Sequence, residues 1–406
     1  MFKKSLLAVA VLGTAAGFAC AADVTLYGVA DAGLLYTNKK VSEVDTLEKT
    51  SETVKSHNFG LESGVNSGSR FGLKGTEDLG NGLKVGFKLE NGFNTDDGTL
   101  GNDGRLFGRE ASLTVSGDFG ALSMGRMGGV GSGAGTYNLF TVTADAFDGG
   151  NVDTFGLVTT SRYDNMITYQ TPKFAGVQAT FQYSFKGNDV ENDDLNKALY
   201  DVATGREGSA ATDRYASVGL TGDFGALQTV LTYEYLNWAS NGKVGDVTRS
   251  NKDVEDGHLI SLGGNYDCGF AKTFVAAQYF KGMRFGADST TNFVEADKTN
   301  GLKDDYELMF GKGYAFGLGT IVPVAGGDLT TALYYRDADI EAPYYVGEKS
   351  TAKYYGLTAK YEYPLSKRTS LYTGAGWSQE KLEDSDGTYE EKIKVYQAFA
   401  GLTHRF

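Results

Sequence analysis

The sequence predicts an all-β fold: a 16-stranded antiparallel transmembrane β-barrel with short periplasmic turns and long external loops. Four observations carry that expectation. Glycine and aromatic residues are abundant (56 Gly, 25 Tyr, 24 Phe) and proline is scarce, at four residues. No long Ala/Leu/Glu helix of the kind an α/β enzyme needs is visible. Stretches of alternating apolar and polar residues follow one another down the chain, the period of a sheet with one wet face. The connections alternate between short Asp/Asn/Gly turns and long polar loops, an asymmetry that suits a barrel spanning an outer membrane.

Residues 1–21 read as a signal peptide. Lys3 and Lys4 supply its charge, Leu6 to Phe18 the apolar run, and Ala19-Cys20-Ala21 a small-residue cleavage site. The run is too short and too rich in small residues for an anchor, and the bulky Phe18 argues against lipoprotein processing at Cys20. The mature domain, 22–406, keeps one cysteine, Cys268, so it has no internal disulfide. With Lys3 and Lys4 removed, 36 basic residues stand against 51 acidic ones, a net charge of −15. That balance argues against nucleic acid and against an anionic membrane surface as partners. No stretch after residue 22 approaches the ~18 consecutive apolar residues of a membrane helix.

The first strand is read as Val24 to Tyr36, with Thr37 to His57 as a polar loop. Ser69 to Gly75 descends to the turn EDLGNG, whose Asn and Gly supply the positive φ of a hairpin, and Leu83 to Phe93 climbs back. In that strand Leu83, Val85, Phe87 and Leu89 share one face; Lys84, Gly86, Lys88 and Glu90 share the other. Arg105 to Ser116 and Ala121 to Arg126 flank the turn GDFG. Arg162 to Thr171 turns at PKFAG into Val177 to Lys186, followed by the acid-rich NDVENDDLNK. Arg214 to Leu220 and Gln228 to Trp238 flank a second GDFGAL, at 222–227 after the first at 117–122: one hairpin design used twice. The remaining hairpins are Leu259–Tyr266 with Phe270–Lys281, Asp305–Leu318 with Leu329–Asp337, and Lys353–Tyr363 with Ser370–Lys381; Lys392 to Phe406 is the last strand. The prolines at 172, 323, 343 and 364 are expected between strands, where a sheet tolerates them.

One connection stands apart. Residues 127–160 contain eight glycines and three aspartates, Asp145, Asp148 and Asp153, and no Lys, Arg or His. A structureless segment of this length inside a compact domain is usually functional, and it is expected to fold into the barrel and narrow it. The basic counterpart is Arg70, Lys74, Lys84 and Lys88 on the non-apolar face of adjacent strands, with Arg126 entering the loop and Arg162 leaving it, the last on a face with Asp164. Facing like charges repel, so they need water, counter-ions or carboxylates: the loop aspartates, and Glu90 for Arg70 where the strand register brings them together.

The final strand places Tyr396, Ala398, Ala400, Leu402, His404 and Phe406 on one face. A chain that stops on an aromatic residue with an apolar stripe behind it reads as the assembly signal of outer-membrane barrels.

The stretches DVTLYGVADAG (23–33), SRFGLKGTEDLGNGLKVGFKLENGF (69–93), RYDNMITYQTPKFAGV (162–177), GDFGAL and the terminal GLTHRF resemble the general porins of Gram-negative bacteria, in their betaproteobacterial branch. The likeness covers nearly all of the mature chain. It implies a 16-stranded barrel, a homotrimer, and a third external loop forming the constriction, which corresponds to 127–160. Where enteric porins carry Pro-Glu-Phe-Gly-Gly in that loop, this chain has Asp145-Ala-Phe-Asp-Gly-Gly150, and Met166 stands where the family more often has Ser.

Catalytic signatures are missing. His57, His258 and His404 are scattered, and there is no GxSxG, GxxxxGK[ST] or HExxH. The glycine run 128–135 contains no GxGxxG and opens no helix, so no cofactor or metal is expected. The acids Asp189, Glu191, Asp193 and Asp194 lack the mid-loop Gly and terminal Glu of a calcium loop; a solvated loop is the first reading, divalent bridging to lipopolysaccharide the second. The expected function is a water-filled channel for passive diffusion of small hydrophilic solutes and ions, with weak charge selectivity. A substrate-selective channel, a barrel enzyme built on His258, and a purely adhesive scaffold are the alternatives.

Overall fold

The computed structural model describes residues 24–102, 104–143, 155–186, 213–238, 241–244, 247–250, 255–285, 309–341 and 349–406. The expected signal peptide, Asp145, Asp148, Asp153 and the acids of 189–194 lie outside the described residues. In chain order the wall strands are β1 (Thr25–Asp45), β2 (Thr50–Ser63), β3 (Arg70–Gly80), β4 (Leu83–Gly92), β5 (Glu110–Gly117), β6 (Gly120–Gly128), β7 (Arg162–Gln170), β8 (Val177–Ser184), β9 (Arg214–Phe224) and β10 (Leu227–Asn237). A small external hairpin, β11 (Asn241–Val244) and β12 (Val247–Ser250), stands by itself. The wall then continues through β13 (Gly257–Asp267), β14 (Lys272–Phe285), β15 (Met309–Val324), β16 (Gly327–Glu341), β17 (Lys349–Pro364), β18 (Thr369–Asp384) and β19 (Tyr389–Arg405).

Each wall strand pairs antiparallel with the next, and β19 pairs with β1 from Val29–Arg405 to Asp45–Tyr389, so the sheet closes on itself. β2 and β3 both pair with β1, residues 32–45 with the first and 25–29 with the second. They are one wall strand interrupted at 64–69, which reduces 17 segments to 16 barrel positions. At the periplasmic end the turns are tight; Asn81 (φ 52°) and Gly82 (φ 78°) take the left-handed backbone that the EDLGNG turn anticipates.

Alternation sorts the two faces. Leu231, Leu262, Phe316, Leu333 and Leu357 are exposed on the outside, while Thr232, Ser261, Gln278, Arg336 and Thr358 are buried on the inside. The outward aromatic residues form a belt; Phe316, Tyr335 and Tyr355 stand directly opposite one another on β15, β16 and β17, as expected of residues at a membrane interface. On β19 the exposed row carries Tyr396, Leu402, His404 and Phe406, and Val395, Gln397, Phe399 and Thr403 face inward and are buried. The terminal residue exchanges two backbone hydrogen bonds with Gly28, at 2.9 and 3.0 Å, and its ring covers the Gly28 Cα.

Two expectations are corrected. Residues 37–57 are not a loop; β1 and β2 run through them to a turn at 46–49. Both faces of this extension are wet, and residues 51–59 are all exposed, so the period-2 signal that marks a half-buried strand is lost. Pro323 lies within β15 and Pro364 ends β17, rather than between strands. Both sit beside a turn, where a missing N–H is tolerated.

Replacement of Phe406 by alanine is expected to lower several-fold the amount of barrel reaching the outer membrane. The purified barrel should lose no more than about 1.5–3 kcal/mol, the worth of one apolar side chain. Membrane fractionation with a denaturant titration checks this; wild-type levels in the outer membrane would remove the terminal ring as an assembly signal.

Candidate functional site

The loop between β6 and β7 leaves the wall inward. A register shift at Gly125–Met127 (φ +133° at Gly125) turns the chain, and Gly128 is caught through its carbonyl by the Gln182 amide at 3.1 Å. The two legs of the loop bond to each other, Gly129 N–H to the Ser161 carbonyl (3.0 Å) and Thr160 N–H to the Gly131 carbonyl (3.1 Å). Beneath this neck sits the buried Glu234 carboxyl of β10. It accepts from Tyr215 Oη and Thr160 Oγ1, both at 2.6 Å, and from Gly131 N–H at 3.3 Å. Tyr215 also accepts from Val130 N–H at 3.2 Å, and its ring stacks on Tyr163 at 4.1 Å. Gly131 is required here because a Cβ would collide with the Glu234 carboxyl.

From the neck the loop crosses to the wall of β4 and β5. Glu110 accepts from Thr136 N–H (3.1 Å) and Thr136 Oγ1 (2.6 Å), and Lys88 Nζ reaches both Glu110 (2.8 Å) and Thr136 (3.2 Å). Tyr137 Oη shares a hydrogen bond with Ser123 at 2.5 Å. The loop then swings back: Leu139 packs with Val130 and Val230, a short 3₁₀ turn covers 140–143, and the Val142 carbonyl accepts from the Asn265 amide at 3.0 Å. On the returning leg Val158 exchanges two hydrogen bonds with the Gln278 side chain (2.8 and 2.9 Å), and Phe155 packs on Tyr334 at 5.1 Å. Gly156 lies so close to the β16–β17 wall that a Cβ would sit 2.6 Å from Tyr334. Every anchor is on an inward row, so the described parts of the third loop lie in the lumen and narrow it.

The segment 64–69 lines another arc. Asn66 donates to Thr403 Oγ1 (3.2 Å) and accepts from Lys360 Nζ (2.5 Å), and Val65 packs with Leu35, Tyr372 and Phe399. Asp31 accepts from Thr403 Oγ1 (2.5 Å), Tyr372 Oη (2.9 Å) and Asn66 N–H (3.3 Å). This inward buckle spans from β3 past β1, β19 and β18 to β17.

Of the sequence-predicted basic residues, the structure brings Arg70, Lys74, Lys84 and Lys88 onto one lumen surface: Lys74 stands opposite Lys88, Arg70 opposite Gly92 and Lys84 opposite Asp78. Lys88 is matched by Glu110, and Glu90 by Arg109 at 2.8 Å and by the Tyr27 hydroxyl at 2.8 Å. The register sets Gly72, not Arg70, opposite Glu90; Arg70 donates to the Gly68 carbonyl. Arg126 is separated from this surface. The unbroken β5–β6 register pairs it with Ala111, on the row of Leu113 and Met124, where it binds Asp164 at 2.8 Å beside Arg105 at 2.9 Å. Arg162 pairs with Gly128 at the loop neck. Sequence reading missed Glu110, Glu234, Tyr215, Gln278 and Lys360. Each is a polar residue on an inward row, and only the path of the loop tells which of those rows it crosses.

A comparison with known families matches residues 8–382 to the Gram-negative porins. The chain is 32% identical, over its full length and that of the relative, to an outer membrane porin protein of Bordetella pertussis. It is 28% identical to outer membrane porin protein 32 of Delftia acidovorans, covering 93% of this chain and 90% of that one. Among solved structures, an anion-selective porin from Comamonas acidovorans shares the fold with a TM-score of 0.58 at 24% identity, covering 95% of this chain and 100% of that one. The trimer form of OmpT, an outer membrane protein of Vibrio cholerae, does so with a TM-score of 0.55 at 15% identity and the same coverage.

Glu234→Ala leaves Tyr215, Thr160 and Gly131 without their buried acceptor. At about 1–3 kcal/mol for each stranded group, the variant should unfold at distinctly lower denaturant and show noisier single-channel current. Steady current at unchanged stability would mean that the neck is held by other contacts.

Proposed function

The chain belongs to the Gram-negative porin family and forms an outer-membrane β-barrel channel; from that premise we propose that the channel passes small hydrophilic solutes and ions by passive diffusion, with a mild preference for anions. One observation carries the sign of the selectivity. Lys74 and Lys84 stand on the lumen surface with no carboxylate at ion-pair distance among the described residues, whereas Lys88 and Arg109 are matched by Glu110 and Glu90. Lys74 lies instead over the Tyr27 ring at 5.2 Å. The net −15 of the mature chain acts mainly from external loops, where salt screens it within about 8–10 Å. The loop aspartates Asp145, Asp148 and Asp153 are assigned to the opposite side of the constriction, where they oppose the basic surface, orient dipolar solutes and limit the anion excess. The likeness to an anion-selective porin from Comamonas acidovorans supports the same sign.

The family reading favours a channel over an enzyme. His258, the residue an enzyme reading would need, shares a hydrogen bond with Tyr233 at 2.8 Å and packs against Tyr233 and Tyr235. That setting fits a place in the aromatic belt. The assembly is assigned as a homotrimer, supported by the family likeness and by the trimer form of the Vibrio relative.

Under a salt gradient in a planar bilayer, the reversal potential should report weak anion preference that fades as salt rises. Lys74→Glu should move it towards cations at unchanged current steadiness. Lys88→Glu should move it too and also loosen the loop, since it removes the cation between Glu110 and Thr136. Strong cation selectivity of the parent channel, or no response to Lys74→Glu, would take the field away from this surface.

Light scattering of the unboiled barrel in mild detergent should give three copies. A monomer there would count against the trimer.

A further inference from the structure

Above the level of the exposed Tyr36, Phe59 and Tyr396, the inward rows of the closing strands carry acids. Glu43 of β1 stands directly opposite Glu52 of β2 on one side and Glu391 of β19 on the other. The three continue the row of Thr37, Asn58 and Gln397. Within the barrel Gln397 donates to Thr37 Oγ1 at 3.2 Å, so this row faces the outer vestibule. Tyr389 lies among the acids: burial and the carboxylates of Glu391, Glu43, Asp384 and Asp45 push its hydroxyl up. Burial and Glu43 likewise raise the Glu391 carboxyl, and Lys39, lower on the same face, draws it back.

Facing carboxylates repel, and none of Glu43, Glu52 and Glu391 has a cation at ion-pair distance among the described residues. On the outward side of the same strands Lys381 and Lys392 share Glu390, each at 3.0 Å. Unmatched carboxylates at a pore mouth concentrate cations there. The basic surface stands at the other end of the pore. Lys74 is opposite Thr25, and Glu43 lies 18 residues farther along β1 than Thr25. At about 3.3 Å per residue on a strand tilted by about 40°, the two zones are roughly 45 Å apart. That exceeds the screening length even in dilute salt, about 30 Å at 0.01 M. Neither zone therefore cancels the other.

We propose that Glu43, Glu52 and Glu391 form a cation-admitting outer zone which, set against Lys74 and Lys84, makes the channel conduct better in one direction than in the other. This rests on the basic-surface reading above. With the external side positive, cations enter over the acidic row and anions enter over the basic surface. Both carriers then accumulate between the zones, and the pore conducts well. With the opposite sign, each zone repels the carrier that has to enter through it, and the stretch between them is depleted of ions.

The test records current against voltage for the whole barrel in a planar bilayer at mildly alkaline pH, in about 0.02 M and about 1 M potassium chloride, where screening differs several-fold. Orientation is assigned through biotin on Cys268, exposed in the periplasmic turn between β13 and β14, whose capture by streptavidin alters the current only from the periplasmic chamber. In dilute salt the parent should pass roughly 1.5- to 3-fold more current with the external side positive, a modest share of the tenfold or more by which charged clefts concentrate counter-ions. In concentrated salt the ratio should return to one. The triple variant Glu43→Gln/Glu52→Gln/Glu391→Gln should show a ratio near one in both salts, with its current in concentrated salt unchanged. Glu52→Gln alone, at an exposed position of β2, should fall in between and serves as the milder variant. A ratio of one in the dilute-salt parent, a ratio of the opposite sense, or an asymmetry that survives the triple substitution overturns the outer zone. The reversal potential, read in the same membranes, separates the two readings. Symmetric current through an anion-preferring parent refutes the acidic row alone, whereas symmetric current through a cation-selective parent refutes the basic surface and the two-zone arrangement with it.

Discussion

In hydrocarbon every backbone N–H and C=O must find a partner within the protein, and a sheet can meet that demand only by closing. Here closure falls between β1 and β19, and much of the inner architecture is built around that junction. Asp31 of β1 gathers Thr403 of β19, Tyr372 of β18 and the inserted Asn66, so first strand, last hairpin and wall buckle are tied at one carboxyl. The terminal residue continues the same junction through its two backbone bonds to Gly28.

Closure also creates the space that function needs. Sixteen strands leave a lumen too wide for its own side chains to fill, and two inward pieces of chain divide it. The third loop is anchored on β5, β10, β14 and β16 through Glu110, Glu234, Gln278 and Tyr334. The 64–69 buckle is anchored on β1, β17, β18 and β19. Together the two pieces engage inward rows on β1, β5, β10, β14 and β16 to β19. The anchors are hydrogen bonds from buried side chains to loop backbone, a device that holds an irregular segment in one place because each broken bond strands a polar group.

The electrostatics follow from this division. Where the loop touches the wall, charges are consumed as struts: Lys88 and Glu110 hold Thr136. Where the wall is left bare, as at Lys74 and Lys84, we propose that charge remains available to passing ions. On that proposal a residue's contribution to permeation depends on whether the loop has claimed it, not on its charge alone.

Strand existence was legible from sequence because alternation and turn chemistry are local: EDLGNG makes its hairpin with Asn81 and Gly82 whatever surrounds it. The count of 16 positions, the outward stripe of Tyr396, Leu402, His404 and Phe406, and the inward loop were legible for the same reason, supplemented by length. The basic surface of Arg70, Lys74, Lys84 and Lys88 followed from parity along two paired strands. What only the tertiary structure decided is everything that depends on register between distant segments. The shift opposite Gly125–Met127 puts one extra residue in β7 and brings Tyr163 into the inner cluster in place of its neighbours Arg162 and Asp164; a one-residue irregularity inverts a side chain's face and leaves no mark in composition. The extension of β1 and β2 through 37–57 was hidden because strands with water on both sides lose the apolar period that betrays them. Glu234 looked like any other polar residue among tyrosines, since its role exists only once a loop about a hundred residues earlier in the chain is folded against it.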